Sequence, residues 1–213
     1  MSSPAPTGKL VLLMGPSGVG KSVILKRLRK AHGSALRPGS GQAAITTGPE
    51  FHFPRSATTR ARREREGSDL YHFVTDAEFD RLLEDNKVLE WATVHAGARY
   101  GTLVEEIIPH IERGEIVIRE VDVQGFESIR THPLFAGAAP QYRLQSIFIL
   151  PESKEQLIKH ITKRAPMEQE ELTRRLKSME KELAYAELCD HAVKNFEGKM
   201  EETIAEVESL LKQ

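Results

Sequence analysis

The chain has 213 residues, with 30 Lys+Arg against 31 Asp+Glu and a formal net charge of −1. A chain of this length suits a single domain that buries about 70% of its extended surface, and the charge balance argues against a non-specific polyanion binder. One cysteine, Cys189, excludes an internal disulfide framework, and no apolar run approaches the roughly 20 residues that cross a bilayer.

The leading Met1–Gly8 segment lacks a charged region followed by an apolar core, so it is expected to be a disordered lead-in and not a secretory signal. LVLLM, Leu10–Met14, predicts a short buried strand, and SVILKRLRK, Ser22–Lys30, the start of a helix. Between them GPSGVGKS matches G-x-x-x-x-G-K-[ST] at every defined position: Gly15, Pro16, Ser17, Gly18, Val19, Gly20, Lys21 and Ser22. Glycines there let backbone N–H groups turn around phosphates, and the helix N-terminus adds partial positive charge. Lys21 can reach the β/γ-phosphates of a nucleoside triphosphate, and Ser22 can offer its hydroxyl to Mg²⁺.

Residues 33–50, rich in Gly, Ser, Pro and Thr, predict a loop or insertion with no core of its own. FHFP, Phe51–Pro54, is a candidate short strand. TDAEFDRLLEDN, Thr75–Asn86, predicts a helix capped by Thr75 or Asp76, with Phe79, Leu82 and Leu83 on one face. VLEWA, Val88–Ala92, predicts a strand, and Thr102–Gly114 a helix that Pro109 kinks or breaks. EIVIREVDV, Glu115–Val123, predicts a strand carrying Glu120 and Asp122 at its end. SIFILP, Ser146–Pro151, predicts another, followed by a helix over Ser153–Arg164. A long charged helix is expected over about Glu168–Leu188, a strand over His191–Val193 and a last helix from Glu197. Strands alternating with helices argue for a mainly parallel α/β sheet, with the phosphate loop at the carboxyl ends of its strands. Eight scattered histidines form no H-E-x-x-H, and Cys189 has no accompanying ligand spacing, so no protein-bound zinc is expected.

A phosphate loop alone fits a switch, a motor, an ATPase or a kinase. SATTRARR, Ser56–Arg63, gathers hydroxyls and guanidiniums suited to bidentate phosphate binding; a solvated basic loop is the plain alternative. The ordered set SATTR, YHFV, LEWA, YGT, VDVQG and SIFILP, with EKELAYAE (Glu180–Glu187), makes the chain resemble guanylate kinases over nearly its whole length. The resemblance implies a single P-loop NTPase-type domain, with a core over 9–50 and 103–163, a GMP-binding subdomain over 51–102, a helical lid over 164–175 and the rest of the core over 176–213. It implies transfer of the γ-phosphate of ATP to GMP, with Mg²⁺ accompanying ATP. dGMP is an expected second acceptor, because no identified residue reads the 2′-hydroxyl. A cytoplasmic monomer or homodimer with no nucleic-acid or membrane partner is expected.

Carried over by position, Ser56, Arg60, Tyr71 and Tyr100 resemble the residues around the GMP phosphate, with Arg63, or its neighbour Arg62, as the second arginine. Glu90, Thr102, Glu120 and Asp122 resemble the guanine end. Guanine presents N1–H and N2–H₂ as donors, so a carboxylate accepts both, whereas adenine leaves it badly paired. Arg164 and Arg175 are spaced like the family's lid arginines, which set positive charge over the transferring group. Lys21, Arg60, Arg164 and Arg175 form the implied catalytic set, and Asn195 resembles a position near the adenine.

The chain departs from the family pattern at several points. Glu120 stands where an aspartate is usual, and RERE, Arg63–Glu66, replaces a proline–glycine–glutamate turn. Ala165 and Pro166 replace a glycine and a threonine of the lid, Phe196 replaces an aspartate, and the 33–50 stretch is longer than usual. Two rivals to the kinase reading are a catalytically dead module that binds a protein segment, and a kinase of the same fold acting on a ribose bisphosphate. Retention of Lys21, Ser22, Arg164 and Arg175 argues against the first. Glu90, Tyr100 and Thr102 argue against the second.

Overall fold

The structure, a computed structural model, describes residues 8–32, 50–64, 66–67, 70–94, 97–164 and 169–213. The expected lead-in up to residue 7, the 33–49 part of the insertion, and Ala165 and Pro166 lie outside the described residues. Among the described residues the α-helices and strands are, in chain order, β1 (Lys9–Met14), α1 (Lys21–His32), β2 (Phe51–His52), β3 (Ser56–Thr58), β4 (Tyr71–Phe73), α2 (Asp76–Glu84), β5 (Val88–Thr93), β6 (Arg99–Leu103), α3 (Ile108–Glu112), β7 (Ile116–Glu120), α4 (Val123–Arg130), β8 (Arg143–Pro151), α5 (Lys154–Arg164), α6 (Gln169–Ala184), β9 (His191–Asn195) and α7 (Met200–Leu211). One sheet has five strands in the order β2-β7-β1-β8-β9, and a second has four in the order β4-β3-β6-β5. In the first, β2 runs parallel to β7 and β8 parallel to β9.

The chain divides into two compact units, each discontinuous in sequence. One contains the whole four-stranded sheet with α2 and α3. In that sheet β3 pairs parallel with β4 and antiparallel with β6, which pairs antiparallel with β5. Helix α2 starts at a full capping box: Thr75 Oγ1 accepts from the Glu78 amide at 3.2 Å, and Glu78 Oε2 accepts from the Thr75 amide at 2.7 Å. Its Phe79 packs with Ala57 and Leu103, with Leu82, Leu83, Val74 and Val88 around them. Gly101 permits this approach, since a Cβ there would lie 3.0 Å from Phe79 Cζ and from Val88 Cγ1.

The other unit contains α1, α5, α6, α7, β9 and most of β8. Strand β8 is buried over Ser146–Ile149 because both its neighbours are strands. Asp190 Oδ2 accepts from the Ser146 amide and hydroxyl, both at 2.7 Å, and pins the start of β9 to β8. Cys189 is half-buried with Sγ 3.5 Å from Met14 Sδ, and burial pushes its thiol up to about 11, the behaviour of an inert packing cysteine.

The expected helix over Thr102–Gly114 is corrected at its start. Thr102 and Leu103 end strand β6, laddered to Ser56 and Val88; a 3₁₀ turn covers Val104–Glu106, and Pro109 lies in the first turn of α3, where no N–H is needed. Strand β7 stops at Glu120, and Val123 already opens α4, a helix with no counterpart in the sequence reading. Strands β3 and β4 have only three residues each, too short to show a period. No helix among the described residues is long and apolar enough to cross a membrane.

Candidate functional site

The phosphate loop joins β1 to α1, as expected. Gly15, Gly18 and Gly20 hold φ of +136°, +87° and +105°, a region side chains with a Cβ rarely enter. A Cβ on Gly15 would also lie 2.5 Å from the Ile149 carbonyl oxygen. Lys21 Nζ curls onto the loop, donating to the carbonyls of Gly15 at 2.6 Å and Pro16 at 3.2 Å. A pocket of about 120 Å³ is lined by Ser17, Gly18, Gly20, Lys21, Ser22, Val23 and Glu120.

Glu120 belongs to this wall: Oε1 stands 3.7 Å from Lys21 Nζ, and Oε2 accepts from Ser22 Oγ at 3.4 Å. Glu120, expected at the guanine end by resemblance, closes β7 with its carboxylate beside the phosphate loop. Asp122 is exposed between β7 and α4.

Asn195, at the end of β9, is 5% exposed. Its Nδ2 donates to the Val19 carbonyl at 2.9 Å, and its Oδ1 accepts from Thr203 Oγ1 at 3.0 Å. The amide therefore ties the phosphate loop to β9 and α7, a role that nothing in the local sequence signals. Arg164 closes α5 and its side chain lies outside the described residues; Arg175 is exposed on α6.

The acceptor-side residues gather in the other unit by strand register. Tyr71, Ser56, Thr102 and Glu90 form one row across β4-β3-β6-β5, and Phe73, Thr58, Tyr100 and Ala92 form the next row but one. Residues two apart share a face, so Ser56, Tyr71, Glu90, Tyr100 and Thr102 all stand on one side of the sheet. Ala57, Gly101 and Leu103 stand on the side packed against α2. Ser56 and Thr102 are buried, and Thr102 Oγ1 donates to Glu90 Oε1.

Arg60 lies at the tyrosine end. Its Nε donates to the Tyr100 hydroxyl at 3.0 Å, and its guanidinium stands 5.3 Å over the Tyr71 ring. Glu66, absent from the sequence-derived set, accepts from Arg60 NH1 at 2.9 Å and NH2 at 2.8 Å, and from the Arg63 amide at 3.0 Å. The Arg60 pair foremost, then the Arg63 amide, holds the Glu66 carboxyl down to about 2. Arg63 thus meets the Arg60–Glu66 pair through its backbone, while the Arg62 guanidinium stacks 4.8 Å over Phe73.

The family profile described as guanylate kinase matches residues 7–213. The guanylate kinase of Nocardia farcinica is 36% identical over 193 residues, 89% of this chain and 87% of that protein. That of Streptomyces coelicolor is 35% identical over 198 residues, 91% and 88% of the two chains. The crystal structure of guanylate kinase from Anaplasma phagocytophilum superposes with a TM-score of 0.61 at 23% identity, covering 97% of this chain and 85% of that one, a likeness of fold.

Proposed function

The chain belongs to the guanylate kinase family and is a nucleoside monophosphate kinase; we propose that it carries the γ-phosphoryl group of ATP to GMP by positioning and electrostatics, with no covalent intermediate on the protein. The observation that carries this reading is the row Tyr71–Ser56–Thr102–Glu90 on one sheet face. Adjacent strands lie about 4.8 Å apart, so the row spans about 14 Å, the reach of a nucleoside monophosphate laid across it. The phosphate lies at the tyrosine end beside Arg60, and Glu90, oriented by Thr102, accepts the two donors of the guanine edge.

On the donor side, Lys21 leaves the loop carbonyls to follow the phosphates, and the loop amides cradle them. Ser22 and Glu120 present oxygen ligands at the head of the loop, a donor set suited to a hard cation, and would hold Mg²⁺ directly or through water. The cation would neutralise charge on the β- and γ-phosphates. Arg164 and Arg175 form the lid pair that offsets charge as the phosphoryl group moves. Asn195 acts through the Val19 carbonyl by fixing the loop.

The test is ADP formation with Mg²⁺·ATP against GMP, dGMP, AMP, UMP, CMP and ribose 1,5-bisphosphate. Turnover with the guanine nucleotides, reduced at least about a hundredfold in Lys21→Ala, is expected. Turnover confined to another acceptor would overturn the reading. GMP binding without turnover would point to the module that binds a protein segment.

A further inference from the structure

Three donors in the acceptor unit converge on one anion: both terminal nitrogens of Arg60 and the backbone N–H of Arg63 meet the Glu66 carboxylate at 2.8–3.0 Å. Of the five Arg60 N–H groups, Nε serves the Tyr100 hydroxyl, two serve Glu66, and a further NH1 bond goes to the Ala61 carbonyl at 2.8 Å. That commitment leaves little of the fork for a substrate. A forked guanidinium with an added backbone N–H is the donor arrangement that a phosphate monoester takes.

Resting on the reading of Arg60 as a GMP-phosphate residue, we propose that Glu66 is a resident occupant of the acceptor-phosphate seat, displaced when GMP binds. The seat itself comprises the Arg60 fork and the Arg63 amide. Displacement exchanges a monoanionic carboxylate for a phosphate that is dianionic at neutral pH and offers more acceptor oxygens. The released carboxylate has a ready route into water. It sits in a turn closed by the Glu66 amide on the Arg63 carbonyl at 3.1 Å, flanked by exposed Arg63, Glu64 and Gly67. Glu66 thereby sets a threshold: a ligand keeps the seat only by outcompeting a carboxylate already placed on it. Acceptor affinity is lowered, and ligands carrying a dianion are favoured over those with a single charge.

The experiment compares wild type, Glu66→Gln and Glu66→Ala in steady-state kinetics with GMP varied at saturating Mg²⁺·ATP, and in calorimetric titrations with GMP and with guanosine. Glu66→Gln is expected to lower KM and Kd for GMP by about threefold to tenfold, with guanosine binding and KM for ATP at their wild-type values. The same substitution in an Arg60→Ala background is expected to give no gain. A GMP Kd that rises or stays level in both single variants, in proteins with wild-type circular dichroism and melting temperature, overturns the proposal and makes Glu66 a support for Arg60. Wild-type protein that fails to turn over GMP would instead count against the kinase reading, so the two failures are distinguishable.

Discussion

Glu90 sits in an otherwise apolar pentapeptide, and its neighbour across the ladder, Thr102, spends its hydroxyl on it. A carboxylate steadied in that way is a two-acceptor edge, and Glu90→Gln replaces one acceptor by a donor that faces donors. We expect kcat/KM for GMP to fall by about 10²–10³ in Glu90→Gln, with KM for ATP at its wild-type value, in assays that vary each substrate in turn. Asn195 makes a different prediction. Asn195→Ala removes the Nδ2 donor from the Val19 carbonyl and leaves the Thr203 hydroxyl only its longer bond to the Lys199 carbonyl at 3.3 Å, at a cost of about 1–3 kcal/mol in denaturant unfolding, and raises KM for ATP more than KM for GMP. Glu90 was legible in the sequence, because a charged residue inside VLEWA has no solvated-face explanation. The loop contact of Asn195 and the Arg60 contact of Glu66 were not, since each depends on a partner that only the fold brings near.

At the level of elements, the helices were legible wherever a cap or an apolar face repeats at helical spacing. Helix α2 carries Thr75 and Glu78 at the right distance and shows both halves of the capping box. Thr102 and Leu103, the last two residues of β6, fall in the helix expected from the sequence, yet the ladders to β3 and β5 outweigh that expectation. The turn that follows β6 ends at Glu106, which faces nitrogen-bearing side chains of three residues. Arg55 donates to it through its amide at 3.1 Å and its NH2 at 2.8 Å, His72 Nε2 lies 2.6 Å away, and His52 Nε2 lies 3.8 Å away. Burial alone would raise the carboxyl; His52, the Arg55 amide, His72 and the Arg55 guanidinium outweigh it and hold it well below the ordinary carboxylate range. Because the folded group ionises at lower pH than the unfolded one, its stabilisation is full above the ordinary carboxylate range and is lost as pH falls toward the folded value. Glu106→Gln is therefore expected to cost about 2–3 kcal/mol in urea unfolding at pH 7, and less as the buffer is acidified. A gap that stays constant with pH would contradict the charge argument. Nearby, His52, His110 and Glu115 place ligand atoms within 4.8 Å of one another, but Arg113 donates to Glu115 at 2.7 Å and sets a guanidinium nitrogen 2.8 Å from His110 Nδ1, so the cluster is built for an ion pair and repels a cation.

For the molecule as a whole, the α/β alternation was legible from the order of apolar runs, but the neighbours of each strand were not. Periodicity describes a strand's faces and is silent on its partners, so the place of β1 between β7 and β8 and the separate four-stranded sheet needed the structure. The same holds for the two units, whose segments interleave along the chain. Their division of labour carries the last prediction. Ser56, Arg60, Arg63, Tyr71, Glu90, Tyr100 and Thr102 all lie in the unit holding the four-stranded sheet. Ser22 and Glu120, the oxygen donors proposed for Mg²⁺, lie together in the other unit. Removing the cation with EDTA should therefore abolish phosphoryl transfer while GMP still binds, because its grip is made of guanidinium, hydroxyl and carboxylate groups that need no metal. Calorimetric titration of GMP with and without EDTA should give Kd values within about twofold, the scatter expected when no shared ligand is removed. A GMP affinity that collapses with the cation would overturn this division and mean that Glu120 or Asp122 serves both substrates through the metal.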